Sequence, residues 1–507
     1  MSEFCREKLN QMRSIPFWAV LPCLLIAGCA VGPDFKKPAA PVAADYTAHP
    51  LAATVTTTNI TGGEAQQFEK GGDLIGDWWT LFHSKPLNDL IELALTNNPD
   101  LKAAQAALLV ARENMLAQRG VYFPSVMGGF SASRAKQSVI LAPTPNYPFV
   151  PQEFQYNLFT PQVSVSYSPD VFGASRRTVE STEAQEAGVR FQMIAAYTTL
   201  TANVVVTTIQ EGAVQAQIDA TRQLIGFNSN MVEILRYQLT KGYASRLDVV
   251  AQESQLAQTT ATLPPLLKQA AQLRDLLAVL AGRFPNEAPA EKFELGSLQL
   301  PAEIPVSLPS QLVAQRPDVL QAEANLHAAS AQIGIAIANR LPDITLTADA
   351  GSTALSFDKL FSSGTGFWGL GAAATAPIFQ GGHLLHQERA AKAAYAQAAE
   401  QYRSTVLAAF QNVADTLTAL EQDAESLKAA ATADDDAQET LHLSQQQWHG
   451  GYISYLALLS AEQADQQARI SLVQAQANRY ADTAALFQAL GGGWWHRADL
   501  TKDKNEN

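Results

Sequence analysis

Hydrophobic and polar residues alternate with a period of two in four short segments of the chain. In the clearest of them, Ile344, Leu346 and Ala348 alternate with Thr345 and Thr347. Successive side chains of a β-strand point to opposite faces, so this alternation predicts strands with one apolar and one polar face. The predicted strands cover about residues 124–136, 154–169, 342–352 and 366–377.

Strands of this kind are typical of two environments. They suit a sheet that is half-buried in a protein, and they equally suit a sheet with lipid on one side and water on the other. Four strands cannot close a barrel alone, and lipid does not tolerate open sheet edges. Two chains would supply eight strands, whose interior is filled by side chains, whereas three would supply twelve and leave a passage. If these strands cross a membrane, the chain must therefore form oligomers.

Two very long helical stretches follow the strand pairs, at 173–241 and 381–449. A continuous helix of this size is roughly 100 Å long. Each stretch ends at a glycine followed by a tyrosine, with the glycines at Gly242 and Gly451, and a further helical segment comes after it. We therefore expect the two turns to form the tips of two long helical hairpins.

The same order of elements occurs twice along the chain. A Pro-Asp pair begins a predicted helix at Pro99 and again at Pro317. A proline begins a predicted strand at Pro124 and again at Pro342, and the two copies of each feature are separated by the same number of residues. Such repetition indicates a tandem duplication. The predicted organisation is a signal peptide at 1–28, a lipidated N-terminal tether at 29–72, repeats at 73–295 and 296–492, and a flexible C-terminal tail at 493–507.

The N-terminus has the pattern of an export signal. Three basic residues precede an apolar run at 15–26, which is too short for a membrane-spanning helix. Residues 25–29 read Leu-Ile-Ala-Gly-Cys, which resembles the lipobox of bacterial lipoproteins. Processing there would leave Cys29 as the first residue, carrying N-palmitoyl and S-diacylglycerol groups; the alternative is an ordinary cleavage site beside a chance cysteine. Ala30, in place of an aspartate, favours sorting to the outer membrane.

Charge and cysteine usage narrow the classes of protein further. The formal net charge is −13, and no basic run exceeds two residues, so nucleic-acid binding is not expected. Of the three cysteines, Cys5 and Cys23 lie in the predicted signal peptide, which leaves no disulfide within the mature chain. No apolar run long enough to form a membrane-spanning helix follows the signal.

Two other functions stay open at this stage. His383 and His386 could share a helix face as metal ligands of an enzyme, but no carboxylate or cysteine stands nearby at ligand spacing. The sequence also has no GxSxG, HExxH or P-loop motif. A lipid-anchored helical scaffold without a pore is the second alternative, and it leaves the duplicated strand pairs unexplained.

Four segments together resemble the TolC-like outer-membrane efflux proteins, specifically the NodT-type lipoproteins of resistance–nodulation–division (RND) systems. The segments are CAVGPDF at 29–35, WWTLF at 78–82, RPDVLQAEANLHAASAQIGIAIANRLPDI at 316–344 and APIFQGG at 376–382. The resemblance implies a mainly α fold with membrane β-strands, arranged as a homotrimer. Twelve strands would form a barrel in outer-membrane lipid, and long helices would form a barrel through the periplasm.

The same resemblance implies a function and partners. Such proteins passively conduct small molecules, including drugs, that they receive from an inner-membrane RND pump through a periplasmic adaptor, also called a membrane fusion protein. They have no catalytic residues and no cofactor besides the covalent lipid on Cys29.

The resemblance also implies a gate at the helix tips, for which the candidate residues are Leu456, Tyr452, Tyr455, Asp248 and Arg246. Leu456 matches an apolar constriction, and three copies of it could narrow the opening. Asp248 matches a carboxylate that bonds between helices, with Tyr452 or Arg246 as its partner. The alternative is that Asp248 only favours a helix start, where negative charge is stabilising.

One departure from the family pattern concerns the same turn. Relatives often carry aspartates facing the lumen there, whereas this chain has Ala457 and Ser460. This departure from the family pattern predicts a gate that is more apolar than the gates of those relatives.

Overall fold

The computed structural model describes residues 30–43, 45–49, 52–138, 153–288 and 293–501. The predicted signal peptide and Cys29 lie outside the described residues. The strands are β1 (Gln67–Lys70), β2 (Ser125–Ser138), β3 (Glu153–Tyr167), β4 (Glu303–Val306), β5 (Asp343–Ser352) and β6 (Gly366–Thr375). The helices are α1 (Lys85–Asn97), α2 (Pro99–Arg119), α3 (Ala174–Lys241), α4 (Arg246–Leu280), α5 (Pro309–Gln315), α6 (Pro317–Ala338), α7 (His383–His449), α8 (Tyr455–Ala489) and α9 (Ala498–Thr501).

The chain divides into two compact units that do not coincide with the two predicted repeats. The strand unit gathers residues up to Lys37, Val110–Glu186 and Ala324–Glu400. The helix unit gathers Pro38–Leu109, Ala187–Glu323 and the residues from Gln401 onward. Each unit takes segments from both halves of the sequence. In the strand unit the reason is hydrogen bonding, because β3 of the first half pairs with β5 of the second.

The strand unit contains one antiparallel sheet with the order β2-β3-β5-β6. All four strands start and end within three residues of the ranges that the alternation predicts. In the register, Val165 is opposite both Val126 and Ala348, and Ala348 is in turn opposite Leu370. The two hairpins of the duplicated sequence thus form a single continuous sheet.

Long helices dominate the helix unit. The helix α3 has 68 residues and α7 has 67, and neither is interrupted. Each ends at a glycine in the left-handed region, with φ of +78° at Gly242 and +75° at Gly451. Residues with side chains avoid this conformation, so glycine ends the helix and turns the chain back. Among the described residues, no helix is both long and apolar enough to cross a membrane.

Two segments differ from the sequence-based expectation. Within the predicted tether, β1 pairs in parallel with β4, which lies more than 200 residues further along the chain. The prediction of a flexible tail at 493–507 is wrong for its first part, which is folded up to Thr501. There the indole nitrogen of Trp494 donates to the Gln315 carbonyl oxygen at 2.7 Å, and the Arg497 guanidinium lies 5.4 Å from the ring centre of Tyr197. The hydrogen bond and packing of the partly buried tryptophans, together with this cation–π contact, outweigh the charged character of the segment.

Candidate functional site

One face of the four-stranded sheet is apolar across its whole width. Residues directly opposite each other in an antiparallel pair project to the same side of the sheet. Where all four strands pair, the apolar positions lie opposite one another, so the alternation predicted from the sequence is in register across them. This face carries Val126, Phe130, Val163, Val165, Leu346, Ala348, Ala350, Trp368 and Leu370.

The large side chains on this face are exposed. Trp368 and Leu370 each retain 77% of their accessible surface, and Phe130 and Val126 are also exposed. An apolar patch of this extent on a protein surface indicates contact with lipid or another protein. The opposite face is polar, with Ser164 opposite Asp349 and Ser166 opposite Thr347. A sheet with these two faces suits a boundary between lipid and water.

Exposed aromatic residues lie at both ends of the sheet. Phe123 precedes β2 and Phe379 follows β6, which places them at the same end because β2 begins where β6 finishes. Phe357 and Phe361 lie in the loop between β5 and β6, at the opposite end. Membrane strands characteristically carry such aromatic girdles at both lipid–water interfaces.

Both edges of this sheet are unpaired among the described residues. The outer strands are β2, with 14 residues, and β6, with 10. An unpaired edge presents backbone N–H and C=O groups that bind another strand readily. In lipid, where water cannot satisfy them, such edges must pair. The sheet is therefore incomplete as a single chain in a membrane.

The helix tips place the predicted gate residues in different environments. Leu456 is 55% exposed, and Tyr452 and Arg246 are also exposed. Tyr455, in contrast, is only 5% exposed and packs in an apolar cluster with Met231 and other residues of the hairpins. Its burial raises the pKa of the Tyr455 hydroxyl. Tyr455 therefore stabilises the base of the tip, while Leu456 and Tyr452 lie at its surface.

Asp248 forms a capping box at the start of α4. Its carboxylate Oδ2 accepts hydrogen bonds from the Ser245 backbone N at 2.9 Å and from Ser245 Oγ at 2.7 Å, and the Asp248 backbone N donates to Ser245 Oγ at 3.2 Å. These bonds satisfy donors that a helix start leaves free. Helix capping thus accounts for Asp248 within the chain, and the two partners suggested by the sequence do not enter this network.

The first described residues form a strap on the strand unit. We call Ala30–Phe35 the N-terminal strap. The Val31 backbone N donates to the Phe172 carbonyl oxygen at 3.1 Å, and the Phe35 ring stacks on the His327 ring at 4.3 Å. Arg177, which is 4% exposed, donates through Nε to the Val31 carbonyl oxygen at 3.1 Å. The chain that follows Cys29 is therefore held by specific contacts.

The strap fits a surface without side-chain bulk. A Cβ added at Gly334 would lie 2.7 Å from Arg177 Cγ and 2.9 Å from the Val31 carbonyl oxygen, and one at Gly173 would lie 2.6 Å from Ala30 Cα. Gly32 itself has φ of +95°. The strap falls within the segment predicted to be a tether, and no sequence pattern indicated that Arg177 and Gly334 would contact it.

The candidate metal pair lies at the start of α7. Among the described residues, no group of three or more histidine, cysteine, aspartate or glutamate side chains is placed to hold a metal ion. His383 and His386 therefore have no third described ligand.

Comparison with known proteins agrees with this geometry. The sequence model of a family described as outer membrane efflux protein matches residues 90–283 and 308–492. The probable efflux pump outer membrane protein TtgC of Pseudomonas putida is 29% identical over 478 residues, covering 93% of this chain and 94% of TtgC. The solvent efflux pump outer membrane protein SrpC of Pseudomonas putida is 28% identical over 493 residues, covering 96% and 99%.

A solved channel shares the fold as well. The MtrE outer membrane channel of Neisseria gonorrhoeae, determined in its open state, superposes with a TM-score of 0.77 at 25% identity, covering 92% of this chain and 99% of MtrE. The match to the family covers both halves of the sequence and most of the chain. The chain belongs to the outer membrane efflux protein family.

Proposed function

We propose that three copies of this chain form the passive exit duct of a tripartite efflux system. The observation that carries this proposal is the four-stranded sheet with one lipid-compatible face and two open edges. Pairing β2 of one copy with β6 of the next removes every open edge. Three copies supply twelve strands and leave a water-filled passage, whereas eight strands would be filled by their own side chains.

The duct would receive its substrate from an inner-membrane RND pump through a periplasmic adaptor. SrpC is named for solvent efflux. By analogy, small apolar or amphiphilic molecules are the proposed cargo of this chain. They would move down a path that the pump has loaded, so this chain needs no catalytic residue of its own.

The proposed gate is the ring of helix tips. Leu456 and Tyr452 are exposed there, and three copies of Leu456 around the duct axis would form an apolar constriction. Such a constriction blocks ions by excluding water from a narrow pore. Asp248, which caps α4, would act on the gate only through the stability of that helix start.

Lipidation of Cys29 completes the proposal. N-palmitoyl and S-diacylglycerol groups on this residue would add about 0.8 kcal/mol of membrane binding for each buried methylene. The strap begins one residue later, and Ala30 lies against Gly173, shortly after β3 ends. The anchor would thus be held close to one end of the membrane sheet.

The oligomer is tested by native mass spectrometry of the purified full-length protein in detergent, with a heat-dissociated sample as the control. We expect a complex of three chains, each carrying the added mass of its acyl groups. A monomer that remains folded and soluble once the acyl groups are removed would contradict the duct and favour the lipid-anchored scaffold.

A further inference from the structure

A cleft of about 180 Å³ lies between α3, α7 and α8 in the helix unit. Its apolar wall is formed by Leu224 and Phe227 of α3, Leu441 of α7 and Ile470 of α8. Glu462 of α8 lines the same cleft. None of the proposed gate residues borders it, so the cleft is separate from the tip surface described above.

Glu462 is the exceptional residue of this cleft. It is only 2% exposed, and neither of its carboxyl oxygens has a hydrogen-bond partner among the described residues. A buried carboxylate without a partner is strongly destabilising, and native proteins rarely retain one without a reason. Its neighbour Asp465 differs, because Asp465 Oδ2 lies 3.2 Å from Arg469 Nε. Arg469, the cationic residue of the cleft, is thus paired with Asp465.

The surroundings are rich in acid. Asp434 of α7 is also buried and interacts electrostatically with both Asp465 and Arg469. Burial raises the pKa of Asp434, which does not line the cleft, whereas Glu462 and Asp465 both line it beside Arg469 alone. One arginine cannot balance both carboxyls when they ionise. The carboxyls are not arranged for a metal ion either, since no described group of three or more such side chains is placed to hold one. The excess negative charge beside an apolar wall favours an organic cation.

We propose that this cleft binds a small aryl- or alkylammonium ion, with the ammonium group paired to Glu462 and the apolar part against Phe227, Leu441 and Ile470. The size agrees, because an apolar protein cavity of about 150 Å³ accepts benzene. The glutamate side chain borders the cleft and has three rotatable bonds, and the proposed pairing requires a rotamer that turns its buried oxygens toward the bound cation.

The protonation of Glu462 gives the site a distinctive signature. Burial raises the pKa of Glu462 to about 7, so the empty site holds a neutral acid at lower pH. An ammonium ion binds the carboxylate, and its affinity therefore rises as the pH increases through about 7. Asp465 and Arg469 of α8 line the same cleft as Glu462, and Tyr455 of α8 interacts electrostatically with Glu462. Asp434 of α7 interacts with Asp465 and Arg469. The α3 wall contributes only uncharged side chains.

The test uses ¹⁹F NMR of 4-fluorobenzylammonium with the full-length protein in detergent, and 4-fluorobenzyl alcohol as the neutral probe of equal size. We expect saturable broadening of the ammonium signal, stronger at pH 8 than at pH 6.

Three variants locate the site. Glu462→Gln removes the charge with little change in shape and should weaken binding about tenfold or more. Ala220→Phe fills the cleft without altering Glu462 and should abolish binding. The matched control, Glu439→Gln, removes an exposed charge of α7 and should bind as the wild type does.

Three results would overturn the proposal. Equal affinity of wild type and Glu462→Gln would show that the carboxyl does not recognise the cation. Equal affinity for the alcohol would show an apolar cleft without charge recognition. Absence of saturable binding, together with a changed oligomer mass in Glu462→Gln, would assign the carboxyl to a contact between copies of the chain. None of these readouts depends on conduction, so this inference can fail while the proposed duct stands.

Discussion

Arg177 Nη2 donates to Asp34 Oδ1 at 2.7 Å, and this pair joins the start of α3 to the N-terminal strap. The same guanidinium also donates through Nη1 to Glu180 Oε2 at 2.7 Å. Arg177 is almost fully buried, whereas Asp34 is exposed. The pair therefore stabilises the docked strap mainly by giving the buried guanidinium a hydrogen-bond acceptor. Attraction between two charges in water contributes less.

Arg177→Ala should release the strap. The substitution should reduce the free energy of strap docking by about 2 kcal/mol. The population of molecules with the strap detached then rises roughly 30-fold, because each 1.36 kcal/mol is a factor of ten in an equilibrium constant. Trypsin cleavage after Lys36, which directly follows the strap, reports this opening by mass spectrometry. Arg222→Ala removes an exposed arginine of the same helix and should leave cleavage unchanged. Equal cleavage of wild type and Arg177→Ala would show that the strap is not held by this residue.

Because the two faces of the sheet meet different solvents, the same substitution should have different effects at two neighbouring positions, one on each face. Leu370→Arg places a charge on the apolar face midway along β6, which costs about 2 to 4 kcal/mol at the centre of a bilayer. Thr347→Arg places the same charge on the polar face, where water accommodates it. We expect Leu370→Arg to lower the fraction of protein that folds into lipid vesicles, measured by heat-dependent gel mobility, and Thr347→Arg to fold as the wild type does. The reverse order would invert the assignment of lipid and lumen.

Asp248→Ala should loosen the first turn of α4 without opening the duct. Loss of a capping side chain typically costs about 1 kcal/mol, so amide hydrogen exchange in residues 246–249 should become several-fold faster. Asp275→Ala, at an exposed position of the same helix, serves as the control. An increase in conductance without faster exchange would instead assign Asp248 a direct role in closing the gate.

Asp423 makes the stability of the helix unit dependent on pH. Burial raises the pKa of Asp423 to about 7, helped by the hydrogen bond that the protonated Asp423 carboxyl donates to the Asp482 carboxylate. Between about pH 4 and 7 the native side chain keeps a proton that the unfolded chain has released, so stability falls as the pH rises through this window. Asp423→Asn should raise the Tm at pH 8 and reduce its change between pH 5 and 8, whereas Asp436→Asn, at an exposed position, should do neither. A wild-type Tm that rises over this range together with an unchanged Asp423→Asn profile would contradict this prediction.

The sequence predicts the sheet better than it predicts the contacts around it. Alternation identifies β2, β3, β5 and β6 because each of these strands has one face toward a different solvent, which fixes the period along the strand. The strands β1 and β4 have four residues each and pair across more than 200 positions, so no local pattern shows them. Similarly, the spacing of the tip residues indicates a turn but not the direction of each side chain. Tyr455 is buried because of the orientation of α8 about its own axis, which depends on packing against α3.

The same reason explains why Glu462 was not predicted. Its burial depends on α3, more than 200 residues earlier in the chain, and on α7. A glutamate among the glutamines and alanines of α8 has the composition of an exposed helix face. Arg177 is similar, because its partners are backbone oxygens of the strap more than 140 residues earlier in the chain. Local sequence patterns thus do not identify charged residues that distant contacts bury. Both the docked strap and the cleft depend on such a residue.

Single-channel conductance in planar bilayers tests the central claim most directly, with wild type and Leu456→Ala recorded side by side. A duct closed by the apolar ring at the tips predicts small or intermittent currents from the wild type and large, steady currents from the variant. Large, steady currents from both would keep the duct and place the gate elsewhere. No current from either protein, with insertion and trimeric mass verified, would contradict the duct itself.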